Sequence, residues 1–259
     1  MRCRILFEDE HLLVVYKPAG MPTQSASVMQ TDVVSELKTY LKKTYIGLVH
    51  RLDQPVEGLF VVGKTQLATD VLTRQLHDGR LKKSYFALAA DERDGKAAAD
   101  DEKKGLKEKH SKEDHSGENV IEELTLTDYI LKNAKTRTAE IVTAPDGKAG
   151  GGKQAAAAKK ARLTCKVLKK EAGVLHCRID IQTGRFHQIR AQMSHAKMPL
   201  LGDRKYGTES SQALTNQKGI RQLCLCADRL VFLHPISGMK LEYEVSPSFI
   251  SEENNNDFK

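Results

Sequence analysis

The segment "HRLDQPVEGL", residues 50–59, sets His50, Arg51 and Asp53 within four positions, between the apolar runs "YIGLV" and "LFVVGKT". A carboxylate so placed can attack or deprotonate a substrate, and neighbouring cations can hold its charge and direction. Asp53 precedes Pro55 and Gly58, which predicts a turn, and turns are where positioned functional groups concentrate. A solvated turn aspartate is the other reading of these residues alone. A second cluster lies in "QTGRFHQIRAQMSHAKMPLLGDRKYG", 182–207, where Arg185, His187 and Arg190 follow Gly184 in the early turns of an expected helix. Free amides and the positive dipole end suit a carboxylate or phosphate there. Ile189 and Met193 draw Arg190 towards the interior, where a guanidinium needs an anionic partner, and Asp53 is a candidate. The third stretch is "KKSYFALA", with Lys83 two residues before Tyr85 on an expected strand. Strand tyrosines ordinarily pack in a core or at its rim.

The elements that must carry these groups are legible as patterns. "HLLVVYKPAG" reads as a buried strand stopped by Pro18 and Gly20, and "GLFVVGKT" as a second. "TDVVSELKTYLKK" predicts a helix capped by Thr31 or Asp32, with Val33, Leu37 and Leu41 on one face. "QLATDVLTRQLHDG" predicts another, with Leu67, Val71, Leu72 and Leu76 inward and Gly79 as its stop. From residue 162 onward strand patterns dominate: "RLTCKVLKK", "AGVLHCRIDIQTG", "LCLCADRLVFLHP" and "KLEYEVS". Strand runs with few helices predict an α+β fold with a mixed, mainly antiparallel sheet.

The 259 residues carry a net charge of +7. Residues 91–119 hold ten acids and seven bases, so that tract stands at −3 and the rest of the chain at +10. The tract has one large apolar residue, Leu106, too little to offset ordering entropy, and it reads as a disordered insertion. The Gly-, Ala- and Lys-rich stretch at 144–161 reads as a mobile basic loop within a single domain spanning 1–259. The five cysteines are odd in number and sparse, and no apolar leader precedes Cys3. They read as reduced thiols in a cytoplasmic protein. No second cysteine pair stands at metal-ligand spacing, and no apolar run reaches membrane-spanning length, so neither a metal nor a membrane is expected.

Taken together, the stretches resemble the RluA-type pseudouridine synthases, which isomerise uridine within RNA. The likeness covers nearly the whole chain: "ILFEDEHLLVVYKPAGMPTQ", "HRLDQPVEGL", "KKSYFALA", "QTGRFHQIRAQMSHAKMPLLGDRKYG" and "RQLCLCADRLVFLHPISG". The resemblance implies that Asp53 is the catalytic aspartate. It makes Tyr85 the tyrosine that stacks on the target base, and Arg190 the arginine that pairs with the carboxylate. It gives Arg51 and His187 supporting roles, with His50, Arg185 and Lys83 as further RNA-binding candidates. It also implies a sheet in two halves with a central cleft and flanking helices, and chemistry with no cofactor. The partner would be a structured rRNA or tRNA, and the chain is expected to act as a monomer. Relatives commonly have Thr-Ser or Val-Ser where this chain has Val56 and Glu57, an anion either close to RNA or turned to solvent. Set against the resemblance, the small N-terminal RNA-binding domain of many relatives is not expected in this chain.

A base inside a helix cannot be reached, so the uridine must flip out and be held by stacking, which gives Tyr85 a reason to be aromatic. The positive remainder of the chain supplies a field for phosphates. The alternative is a non-catalytic RNA-binding protein that kept the fold, although binding alone needs bases more than the Asp53 carboxylate. "HRLD" also shares letters with the kinase catalytic loop, but no D-F-G follows and no Gly-rich loop precedes a strand lysine.

Overall fold

The computed structural model describes residues 1–25, 29–93, 120–143 and 157–250. Most of the charged tract read at 91–119 and of the basic loop read at 144–161 lies outside the described residues. The described ends of these tracts are anchored. Asp91 is held by Arg93 and Lys170, and Arg93 reaches Glu122 at 2.7 Å on the far side of the tract. Lys159–Ala161, read as loop, already form the start of a strand, because Ala161 packs in the core beside Ile130, Ala139 and Ala191.

Four helices and eleven strands occur among the described residues, and the fold is α+β with mainly antiparallel pairing. The chain divides into two compact units, Met1–Phe86 with Leu225–Lys259, and Ala87–Cys224.

In the first unit, β1 (Arg4–Glu8), β2 (Leu12–Lys17), β4 (Glu57–Gly63) and β10 (Leu225–Leu233) lie in that order. The short β3 (Gly47–Leu48) pairs with β4, and β11 (Lys240–Glu244) with β10. All these pairings are antiparallel except β4 with β10. The continuous apolar runs in β2 and β4 have a structural reason: this sheet is buried on both faces. Leu12, Val14, Leu59 and Val61 face a core with Leu72 of helix α2 (Gln66–His77). The alternate residues Leu13, Val15, Phe60 and Val62 face a second core with Val33 and Leu37 of helix α1 (Val33–Leu41). Asp32 caps α1, accepting from the Ser35 amide at 2.7 Å, so the second of the two expected cap residues is used. Leu67 departs from expectation: it is exposed, because Ala68, Thr69, Leu72 and Gln75 form the buried face of α2.

Strand β5 (Lys82–Ala90) crosses the division between units. In the second unit β9 (Val174–Ile181), β8 (Lys159–Glu171), β6 (Glu122–Asn133) and β7 (Thr138–Val142) form an antiparallel run. Helix α3 (Gln188–His195) packs against it through Ala191, facing Ala139 and Ala161, small residues that allow close approach. A fourth helix, α4 (Glu209–Gln217), is not evident from apolar spacing; Thr208 and Ser211 close it with a reciprocal capping box. All five cysteines are free thiols and buried.

Candidate active site

The turn carrying Asp53 is clamped through its backbone. Thr23 Oγ1 donates to the Leu52 carbonyl at 2.8 Å and accepts from the Leu52 amide at 3.2 Å. One residue beyond Asp53, the Gln54 carbonyl accepts from the Gly20 amide at 2.9 Å and from Lys17 Nζ at 3.1 Å. The turn is closed by the Val56 amide donating to the Asp53 carbonyl at 3.0 Å. Past it the chain must enter β4 against the backbone of β10. Gly58 sits there at φ +124°, and a Cβ at that position would lie 2.3 Å from the Ala227 carbonyl oxygen. Only glycine fits, which explains the motif residue that follows the carboxylate.

Lys17 is the group that sequence reasoning passed over. It ends β2 with no solvent exposure, and its ammonium also donates to the carbonyls of Met21 (2.8 Å) and Pro18 (3.0 Å). Burial pushes its pKa down to about 8, against the pull of Cys3, Asp53 and Glu57, so it stays mainly charged at neutral pH. A lysine closing an apolar run and followed by Pro-Ala-Gly was the available signal. It reads as a snorkelling end residue until its three carbonyl partners are seen.

Tyr85 is buried on β5, and its phenol is held well above the usual range by burial first and then by the charge of Asp53. The carboxylate and the ring are thus electrostatic neighbours within the first unit, and the ring is a neutral phenol. Lys83, two residues earlier, has its pKa lowered to about 8 by burial. His50 is buried, edge-on to Phe60 at 6.2 Å, and neither ring nitrogen has a hydrogen-bond partner among the described residues. Burial, and then Lys83, push its pKa far down, so it contributes a neutral imidazole. Arg51 is exposed beside it.

Glu57 is neither an anion facing RNA nor a solvated one. It is 2% exposed on β4, and its two oxygens accept from the amide (2.8 Å) and hydroxyl (2.6 Å) of Ser248. It ties residue 248 to the sheet. Glu57→Leu is expected to strand both Ser248 donors and lower stability by about 1–3 kcal/mol, read by thermal melting.

Arg190, Arg185 and His187 belong to the second unit. Arg190 is 6% exposed, and the buried guanidinium has a carboxylate partner that the sequence reading did not consider. Its Nε and Nη2 fork onto the two oxygens of Asp203, each at 2.7 Å. Asp203 Oδ1 also accepts from the amides of Lys205 and Tyr206. The Arg190 guanidinium lies over the Tyr206 ring, 4.9 Å from its centroid. "GDRKY" carries the signal, an aspartate after a glycine. Gly202 is at φ +74°, where a Cβ would meet the Gln222 carbonyl oxygen at 1.8 Å.

The helix starts later than the sequence predicts. Gln188 is its first residue, so Arg185 and His187 precede it rather than sit in its early turns. His187 takes the cap position at φ 50° with no side-chain cap. The Tyr206 hydroxyl accepts from the Ala139 amide at 2.6 Å, leaving its proton for His187 Nδ1 at 2.7 Å. Burial first, then Arg190 and Lys205, lower the His187 pKa to about 4, consistent with an accepting, neutral ring. Arg185 is exposed, with Nε donating to the Lys160 carbonyl at 3.0 Å.

Residues 11–195 match the family described as RNA pseudouridylate synthase. The chain is 27% identical over 248 residues to tRNA pseudouridine synthase C of Pasteurella multocida, covering 93% of this chain and 90% of that protein. It is 30% identical over 251 residues to ribosomal large subunit pseudouridine synthase D of Zymomonas mobilis, covering 93% and 68%. The fold is similar to that of human RNA pseudouridylate synthase domain containing 1, with a TM-score of 0.67 at 20% identity over 96% of this chain and 84% of that one. With the motif turn, the glycine behind it and this match over most of its length, the chain belongs to the RluA-type RNA pseudouridine synthases, isomerases that convert uridine in RNA to pseudouridine.

Proposed function

We propose that this chain isomerises a specific uridine of a ribosomal or transfer RNA, with Asp53 as the group acting at the ribose. In that reaction the N1–C1′ bond breaks, the uracil turns, and a C5–C1′ bond replaces it. The C5 proton is lost and N1 ends protonated, so nothing is oxidised or reduced. Asp53 stabilises positive charge developing at C1′, by attack or by proton abstraction. Tyr85 offers a ring face to the extruded base. Arg190, whose guanidinium is held by Asp203, keeps the catalytic role that the resemblance assigns it. Lys83 and Arg51 supply charge near the base and its backbone, while His50, neutral, shapes the wall. His187 and Arg185 serve the RNA from the second unit.

The observation that carries this reading is the backbone clamp on the Asp53 turn, combined with the reach of the Asp53 charge to Tyr85. A solvated turn aspartate needs no such fixation, whereas a reacting carboxylate must be held to a fraction of an ångström. The test is to map pseudouridines in ribosomal and transfer RNA from cells with and without this protein. Loss of pseudouridine at one position supports the reading; identical maps overturn it.

Lys17 is a positioning residue in this scheme. Lys17→Met keeps the volume but removes the donor from three carbonyls, at a cost of about 2–4 kcal/mol in stability. Turnover is expected to fall roughly 10–100-fold with KM little changed, since a displaced turn misplaces the carboxylate rather than the RNA. Because burial lowers the ammonium's pKa, the charged form weighs against the folded state. That penalty is full below about 8 and is relieved as pH rises towards 10.5. In the methionine variant, stability should lose this rise between those values, as measured by denaturant melts at stepped pH.

A further inference from the structure

Six exposed cations gather at one end of the second unit. Lys132 is the last but one residue of β6, Arg137 lies in the β6–β7 turn, Lys160 and Arg162 lie near the start of β8, Arg185 precedes α3, and Lys205 follows Asp203. Contacts join them into one patch. The Lys132 ammonium sits over the Phe186 ring at 4.9 Å, and Phe186 stacks on His187 at 3.8 Å. Lys205 Nζ donates to the Arg137 carbonyl at 2.9 Å, and Arg185 Nε to the Lys160 carbonyl at 3.0 Å. Lys160 and Arg162 are two apart on a strand and so point the same way. The Arg162 carbonyl accepts from Gln188 at the start of α3.

What distinguishes the patch is that six cations without a salt-bridge partner among the described residues are gathered and joined by contacts at one end of the unit. Elsewhere Arg80, Lys170, Arg229 and Lys240 each lie against a carboxylate. Among the described residues none of these six is in a salt bridge, and three of the neighbouring acids are engaged elsewhere. Asp203 holds Arg190, Asp128 accepts from Gln192 and meets His195, and Glu140 accepts from Asn133. A cluster of like charges held by backbone and ring contacts costs stability unless a polyanion compensates it.

Resting on the reading of the chain as an RNA-modifying enzyme, we infer that this rim is a docking surface for the RNA phosphate backbone. It supplies affinity and orientation, separately from the chemistry at Asp53. Phosphate contacts of this kind position an RNA without reading its sequence.

The test compares two triple variants on a labelled transfer RNA transcript. One removes the rim cations (Lys132→Ala, Lys160→Ala, Arg162→Ala); the other removes three exposed cations of the first unit (Lys38→Ala, Lys43→Ala, Arg74→Ala). The rim triple is expected to flatten the slope of log K against log salt by about 2–3 and to weaken binding roughly 10–100-fold at physiological salt. KM should rise in step, and kcat at saturating RNA should stay unchanged. The control triple should change the slope by less than about 1. Charge-conserving exchange (Lys160→Arg with Arg162→Lys) should restore the slope, which separates charge from misfolding. Equal slopes in both triples, or an unchanged KM in an active rim triple, overturn the inference. If the wild type binds with the rim-dependent slope yet forms no pseudouridine in any RNA, the isomerase reading fails and the docking surface stands.

Discussion

Asp53→Asn is expected to abolish pseudouridine formation, by about four orders of magnitude or more, while the affinity for RNA changes less than about twofold. The substitution keeps the shape of the side chain and every backbone contact that fixes the turn: Thr23 on Leu52, Gly20 and Lys17 on Gln54, and Val56 on Asp53 itself. What it removes is the charge that could meet developing positive charge at the ribose. The Tyr85 phenol should answer as well, since Asp53 is the second cause of its raised pKa after burial, and its titration should move down in the amide variant. The checks are single-turnover isomerisation on the mapped substrate, a binding isotherm, and a spectroscopic pH titration of the tyrosines. Substantial turnover in the variant would remove Asp53 from the mechanism, whatever became of binding.

Arg190→Met is expected to cost about 3–5 kcal/mol, because it leaves Asp203 buried with two backbone amides and no counter-charge. The pair is a two-point fork, so Arg190→Lys should rescue only part of the loss. Replacing both residues (Arg190→Met with Asp203→Leu) should recover much of the stability, since two charges then leave the interior together. Thermal melting of the four proteins forms a cycle. A single variant as stable as wild type would show that the fork contributes little. Loss of activity in the doubly apolar protein, with stability recovered, would separate a role for Arg190 in the reaction from its role in the fold.

How much of this was legible beforehand depends on the range of the interaction concerned. β2, β4, α1 and α2 follow from local apolar runs and caps, and the structure places them where the patterns do. Their two-sided burial is implicit in the unbroken "LLVV" and "LFVV". The motif glycine and the turn at Asp53 were readable for the same reason. Leu67 was misassigned because several apolar residues on α2 fit one stripe and only packing selects among them. Partners across long sequence distances were not legible. Nothing near Glu57 announces Ser248, and nothing near Lys17 announces the Gln54 carbonyl. Arg190 was correctly read as buried and in need of an anion. Asp203 lies thirteen residues on in the same motif, but spacing alone does not bring the two together. The delayed start of α3 reflects Tyr206 holding His187 in a left-handed conformation, again a contact from outside the helix.

The parallel seam between β4 and β10, with the Glu57 tie to Ser248, also bears on how the chain is born. β4 is synthesised early, but its neighbour β10 begins at Leu225, and Ser248 lies 191 residues beyond Glu57. Of the intervening strands, β6 with β7 and β8 with β9 pair as hairpins, and the β6–β8 pairing joins the two within one stretch of the chain, so this run can form as it leaves the ribosome. The first unit cannot: β3 covers Val62 and Gly63 on one edge of β4, but Glu57 and Gly58 on that edge wait for β10. In vectorial synthesis the unit that starts first is therefore completed after the unit inserted within it, and the Asp53 turn acquires its final setting only once β10 and Ser248 have emerged.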